Sequence, residues 1–185
     1  GLNILKTYFS GPQSATVLVT SNPTDRKYDP ELAGRIATQY SDVFDLRTGK
    51  RKTRFEAPFP TELVDYSFSG KLGLFRDAKT KQRLDVYDLG TKKHIVGFRP
   101  SQEENSKYQR EVHVARFIDD RHLLTLRRNG GLAMWDLKTC QAVYTLPSTS
   151  VSTIFLDPTR RHFAISSGGI VHLIEAASGQ SCGRL

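Results

Sequence analysis

The chain has little of what disulfide frameworks, membrane spans and export signals require. It carries only two cysteines, Cys140 and Cys182, among 185 residues, so we expect two free thiols in a reducing compartment. No apolar run approaches the roughly 20 residues of a membrane-spanning helix, and no charged-then-apolar signal segment opens the chain. The sequence begins at Gly1 and not at Met, which leaves a lost presequence open. We predict a cytoplasmic protein without membrane contact, with the nucleus as the alternative.

Motifs for catalysis and cofactor binding are also missing. There is no Gly-X-Ser-X-Gly elbow, no phosphate-binding loop or dinucleotide fingerprint and no calcium loop. The five histidines show none of the Cys/His spacings of a zinc site. Asp119-Asp120-Arg121-His122 contains acid and base groups, but it falls in a turn, where Asp accepts hydrogen bonds from backbone amides. We therefore expect no enzyme activity, no metal and no cofactor.

What the chain does contain is a tetrapeptide that recurs four times. Its copies read Val-Phe-Asp-Leu, Val-Tyr-Asp-Leu, Met-Trp-Asp-Leu and, more weakly, Leu-Ile-Glu-Ala. Their acidic residues are separated by 43, 48 and 39 residues, and they are Asp45, Asp88, Asp136 and Glu175. A period of roughly 40–45 residues is typical of the four-stranded blades of a β-propeller.

The segments around each copy complete a blade. Two alternating apolar segments precede the tetrapeptide, and a polar turn and another alternating segment follow it, which predicts four antiparallel strands per repeat. Gly49 and Gly179 fall where the turn favours positive φ, whereas Cys140 occupies the same position and suits it less. No window shows helical periodicity. The predicted fold is one all-β unit over residues 1–185, with blades at 1–55, 56–98, 99–146 and 147–185 and an insertion at 21–36.

At these residues the chain resembles the WD-repeat propeller family. Trp135-Asp136 gives the signature dipeptide of that family, although the Gly-His dipeptide that usually opens a repeat is absent. The resemblance implies that the acidic residue ends the third strand and accepts hydrogen bonds from the amides of the next turn. Such bonds favour the carboxylate and should lower its pKa. The resemblance therefore implies a structural role for all four acidic residues.

Four blades in a row must close into a ring or leave two apolar blade faces uncovered. The predicted first strands carry large aromatic residues, which suit a wider ring than one of four blades: Tyr8, Phe68, Phe117 and Phe155. Rings in the resembled family generally have seven or eight blades. We therefore predict a segment of a larger propeller, whose remaining blades come from the same polypeptide or from another chain.

The net charge of +8 raises the question of a polyanion partner. Basic residues cluster at four places: 50–54, 76–83, 127–128 and 160–161. The candidate polyanion-binding residues are Lys50, Arg51, Lys52, Arg54, Arg127 and Arg128. Solvent-exposed turns commonly carry charge, and the basic groups fall on different turns. RNA or polyanion binding is therefore the alternative hypothesis and not the leading one.

The leading prediction is a non-catalytic scaffold that binds other proteins within a larger multidomain protein. The display surface would be the rim formed by turns between first and second strands. Its candidate residues are Asp119, Asp120, Arg121, Asp157 and Arg160. An enzyme whose site requires blades absent from this chain stays a third hypothesis.

Overall fold

The computed structural model describes residues 3–11, 14–20, 39–56, 61–100, 111–128, 130–146, 154–167 and 169–184, and of 3–11, 14–20, 39–41 and 53 the backbone alone. Within these ranges it has sixteen strands and no helix. The first sheet contains β1 (Asn3–Gly11), β2 (Ser14–Thr20), β3 (Gln39–Asp45) and β4 (Arg51–Glu56), and the second contains β5 (Thr61–Tyr66), β6 (Leu72–Asp77), β7 (Leu84–Asp88) and β8 (His94–Phe98). The third contains β9 (Val112–Phe117), β10 (His122–Arg127), β11 (Leu132–Asp136) and β12 (Gln141–Leu146), and the fourth β13 (Ile154–Leu156), β14 (His162–Ser167), β15 (Ile170–Glu175) and β16 (Ser181–Arg184).

Every sheet has the same topology. Its four strands lie side by side in chain order, and each strand is antiparallel to its neighbour. This confirms the predicted all-β fold of four consecutive four-stranded antiparallel blades. Turns between first and second strands and between third and fourth strands lie at one end of each sheet, which we call the front rim. Turns between second and third strands form the opposite rim.

The repeated acidic residue ends the third strand in all four sheets, as predicted. The turn that follows places its fifth residue, counted from the acidic one, in the left-handed region. Gly49 and Gly179 have φ of 66° and 72°, which confirms their predicted positive φ. Cys140 adopts φ of 56° although it carries a Cβ.

The core consists of three buried clusters, each between two consecutive sheets. Phe55 of the first sheet contacts Phe75 of the second, with ring centroids 5.1 Å apart. Leu74 and Val86 of the second sheet pack against Phe117 of the third. The third and fourth sheets share the remaining cluster, to which both contribute three or more buried side chains: Leu124, Leu126, Leu132 and Met134 from the third, and Ile154, Phe163, Ile165, Ile174 and Ala176 from the fourth. The sheets are therefore stacked in chain order.

Two details differ from the predicted strands. Phe68 lies in the turn after β5 and is largely exposed, whereas Tyr66 fills the core position. The strand ends at Tyr66, because the Ser67 amide donates to the Leu72 carbonyl and the Gly70 amide to the Ser67 carbonyl, and these bonds place Phe68 in the turn. The first blade also runs one residue further than predicted, because β4 ends at Glu56. The predicted insertion at 21–36 lies outside the described residues. The described part contains no helix that is long and apolar enough to cross a membrane.

Candidate protein-binding rim

The front rim is held by carboxylates that accept hydrogen bonds from turn amides. The Arg47 and Thr48 amides donate to Asp45 Oδ1 over 2.9 and 3.0 Å. The Thr91 amide donates to Asp88 Oδ1 over 2.7 Å. These bonds, above all those from the Thr48 and Thr91 amides, hold the pKa of both carboxyls below the ordinary value.

Asp136 and Glu175 occupy the same place in the third and fourth sheets. Arg121 donates to both oxygens of Asp136, with Nε–Oδ1 at 3.1 Å, and the Lys138 amide donates to Oδ1 over 2.8 Å. The arginine, followed by the amide, lowers the pKa of Asp136 well below its usual range. Glu175 accepts from the Ser178 hydroxyl over 2.5 Å. All four groups thus take part in turn geometry.

Sequence reasoning missed a fifth turn of this kind on the opposite rim. Asp77 ends β6, and its Oδ1 accepts from the Lys79 amide at 3.0 Å and the Thr80 amide at 2.6 Å. The Thr80 amide is the largest cause of a lowered pKa at Asp77. The sequence does contain the pattern typical of this turn, because Asp-X-X-Thr begins at positions 45, 77, 88 and 136. Position 77 was overlooked since no aromatic residue immediately precedes the Asp.

All five candidate rim residues are bound to neighbouring groups. Asp119 accepts from the Arg121 and His122 amides, both at 2.7 Å, and lies 2.8 Å from His122 Nδ1. Burial raises the pKa of Asp119, but the bonds from His122 and the two amides outweigh it and the net shift is downward. Asp120 accepts from the Ser69 hydroxyl of the second sheet over 2.8 Å. Arg121 is paired with Asp136, as described above.

Arg160 connects three sheets at the front rim. Its Nη1 donates to the Phe117 carbonyl over 2.6 Å and reaches the Tyr66 carbonyl at 3.5 Å. Its guanidinium lies 5.6 Å from the ring centroid of the exposed Phe68. Asp157, in the same turn, accepts from the Thr159 hydroxyl at 2.9 Å. The turns of the second, third and fourth sheets therefore converge on one side of the molecule.

A second connection between sheets lies at a buried carboxylate. Asp65 is buried, and its Oδ2 accepts from the Phe117 amide over 2.8 Å, with Arg116 Nη1 3.6 Å from its other oxygen. Burial raises the pKa of Asp65 despite these partners. No local sequence pattern indicates this contact, because the two groups are 52 positions apart and meet only through packing.

A groove opens on the front rim between the third and fourth sheets. Its volume is about 280 Å³. Its lining combines apolar and charged residues. The apolar ones are Ile118, Met134, Val143, Ala176 and Ala177, and the charged or titratable ones are Asp119, His122, Arg160, Arg161 and Glu175. Val143 is more than half exposed although its side chain is apolar. Apolar concave surface with polar edges is typical of sites that take up a side chain of a partner.

The basic residues do not form one patch. Lys50, Arg51, Lys52 and Arg54 lie on the β3–β4 turn and on β4 of the first sheet, whereas Arg127 and Arg128 lie at the opposite rim of the third. Most of these cations are paired. Arg54 and Arg51 contact Asp42, Lys52 lies 3.2 Å from Asp45, and Arg128 lies 3.1 Å from Glu111. This arrangement weakens the polyanion hypothesis.

The single tryptophan has a structural partner. Trp135 Nε1 donates to Thr125 Oγ1 of the neighbouring strand over 2.8 Å, and Thr125 is fully buried. Within the described residues, no cluster of three or more His, Cys, Asp or Glu side chains is arranged to hold a metal ion.

Neither a scan against protein-family models nor a search of curated proteins found a match for this chain. The resemblance to WD-repeat propellers therefore depends on the repeat and on the sheets.

Proposed function

We propose that this chain is a non-catalytic protein-binding scaffold, formed by four blades of a larger WD-type propeller in the cytoplasm or nucleus. Four stacked antiparallel sheets with their turns gathered on two rims support a display function. Its partners would be other proteins, together with the blades that complete the ring. The proposed function includes no cofactor and no metal.

One observation carries the proposal, namely the groove between the third and fourth sheets. It combines the exposed side chain of Val143 with two candidate rim residues, Asp119 and Arg160. Most charged side chains around the groove are held by hydrogen bonds within the protein. Side chains that are already ordered lose little conformational entropy on binding, and burial of the apolar surface supplies the driving force.

The proposal predicts that a charge in the groove abolishes partner capture. Val143→Glu places a carboxylate among the apolar lining residues, and Ile95→Glu is the matched control, because Ile95 is equally exposed on β8 of the second sheet. Quantitative mass spectrometry of proteins co-purified with the wild type and both variants should show partners lost with Val143→Glu alone. A partner set that survives Val143→Glu unchanged would refute the groove as the binding surface.

The alternatives have their own tests. Polyanion or RNA binding requires affinity for heparin that falls steeply with salt, because counterions are released on binding. Retention without salt dependence argues against it. An enzyme completed by further blades would show turnover in a hydrolase substrate panel on the full-length protein. Neither alternative predicts selective loss with Val143→Glu.

A further inference from the structure

One repeated position distinguishes the first sheet from the other three. The residue after the repeated acidic group is Leu46, Leu89, Leu137 and Ala176 in successive sheets. Leu89, Leu137 and Ala176 are 2%, 8% and 2% exposed, because each belongs to the cluster shared with the preceding sheet. Leu46 is 47% exposed. The same position is therefore open in the first sheet alone.

The fourth sheet is uncovered on its other face. Phe155, Ala164 and Leu173 are cross-strand neighbours on β13, β14 and β15. Phe155 is 63% exposed and Leu173 is 40% exposed.

The corresponding rows of the two central sheets are covered. By register these rows are Arg116, Leu124 and Met134 in the third sheet, and Asp65, Leu74 and Val86 in the second. Their β6, β7, β10 and β11 members are buried in clusters with the following sheet. The row of the fourth sheet is thus the surface on which another sheet would pack.

The exposed positions of the first and fourth sheets match the two sides of an internal junction. At the junctions of the second sheet with the third and of the third with the fourth, the row on one sheet shares a cluster with two residues of the next sheet, namely the one before the acidic group and the one after it. The first sheet carries this pair as Phe44 and Leu46, in the place of Tyr87 and Leu89. In addition, Ala15 pairs with Phe44 as Gly73 pairs with Tyr87, so a small residue stands beside the aromatic one in both sheets.

We propose that the first sheet of a second copy of this chain packs on the Phe155 and Leu173 face of the fourth sheet. This deepens the proposed scaffold, since it names what covers the ends of the blade array. Such an interface is heterologous, and it generates a ring when the rotation closes. Two copies joined at both ends give eight sheets, which is within the range of about 4–8 blades that propellers adopt.

Sedimentation equilibrium on the 185-residue chain tests the proposal. The expected particle has twice the chain mass of 20.8 kDa. Leu46→Glu and the double variant Phe155→Glu/Leu173→Glu should each weaken association by about 100-fold or more, because each places charge at the centre of both interfaces. Ile95→Glu, an equally exposed apolar position away from both faces, should leave the mass unchanged. Circular dichroism melting verifies that the variants stay folded.

Mixing the variants tests the head-to-tail arrangement. Leu46→Glu combined with Phe155→Glu/Leu173→Glu retains one wild-type pairing, so the mixture should recover a two-copy particle that neither variant forms alone. A monomeric wild type, a dimeric Leu46→Glu variant or open-ended growth with concentration would each overturn the proposal. A monomer would point to blades of a longer polypeptide as the occupant. The groove proposal would survive that result, because partner capture depends on Val143 and not on either end face.

Discussion

Single residues carry backbone strain where the turns of this fold demand it. Within the described chain, Lys81, Lys92, Cys140 and Arg160 hold positive φ without being glycine. The left-handed conformation costs such a residue about 1–2 kcal/mol because Cβ approaches the following carbonyl. Gly49 and Gly179 avoid that cost at the position that Cys140 occupies in the third sheet.

We predict that Cys140→Gly stabilises the protein by about 1 kcal/mol, because strain relief outweighs the extra entropy of glycine in the unfolded chain. The measurement is the free energy of unfolding in urea. Cys182→Gly is the matched control, since Cys182 lies within β16 without positive φ, and it should destabilise by roughly 0.5–1 kcal/mol. If both variants change the free energy of unfolding in the same direction, backbone strain at position 140 does not explain the effect of Cys140→Gly.

The turn carboxylates predict an acid-sensitive fold. The pKa of Asp136 is lower in the folded protein than in the unfolded chain, where it is about 4. The carboxylate therefore stabilises the fold above pH ~4, and this contribution is lost as the pH falls below that value. Asp136→Asn should lower stability at neutral pH and flatten the pH dependence in the acid range. Urea unfolding over a pH series measures both effects for the wild type, for Asp136→Asn and for the rim control Asp120→Asn. If the free energy of unfolding changes with pH in the same way for the wild type and for Asp136→Asn, the prediction is contradicted.

At the scale of the element, hairpins were predictable and contacts between sheets were not. The acidic residue, the threonine three positions later and the left-handed residue after it are adjacent in sequence, so turn chemistry reveals them without knowledge of the fold. Phe68 was misplaced because the alternation of Tyr66 and Phe68 continues the strand pattern, although the chain already turns at 67–70. The contacts of Arg160 with Phe117 and Tyr66 depend on how three sheets pack, and no local pattern encodes that geometry.

The hairpin of β3 and β4 contains a buried cross-strand ion pair. Arg54 Nε donates to Asp42 Oδ1 over 2.8 Å and Nη2 to Oδ2 over 2.9 Å, and both side chains are largely buried. Removing Arg54 leaves the buried Asp42 carboxylate with a weaker partner, Arg51, whose Nη1 lies 3.8 Å away and whose side chain is partly exposed. We predict that Arg54→Ala costs about 3–5 kcal/mol in urea unfolding. Lys52→Ala, which removes an exposed cation from the same strand, should cost about 0–1 kcal/mol.

The double variant Asp42→Leu/Arg54→Met distinguishes a charge effect from a packing effect. Replacing a buried ion pair by apolar residues of similar size is often neutral or stabilising. The double variant should therefore recover most of the stability that Arg54→Ala loses. Destabilisation as large as in the single variant would assign the loss to packing and not to the Asp42 carboxylate.

At the scale of the whole molecule, stability is distributed along a row of sheets. In stacked repeats each unit gains stability from its own hairpins and from the interfaces with its neighbours. The second and third sheets have two covered faces, while the first and fourth have one, as Leu46 and Phe155 show. Local opening of a terminal sheet therefore costs less free energy than local opening of a central sheet.

Hydrogen exchange should display this gradient directly. We expect amides of β6, β7, β10 and β11 to exchange more slowly than those of β15 and β16 by about tenfold or more, which corresponds to ~1.4 kcal/mol. If a second copy covers the ends, raising the protein concentration should slow exchange in β15 while leaving β10 unchanged. Leu46→Glu should remove that concentration dependence because it disrupts the same interface from the first sheet. Uniform protection at all concentrations would mean that the end faces are as well covered as the internal ones, which the exposure of Leu46, Phe155 and Leu173 argues against.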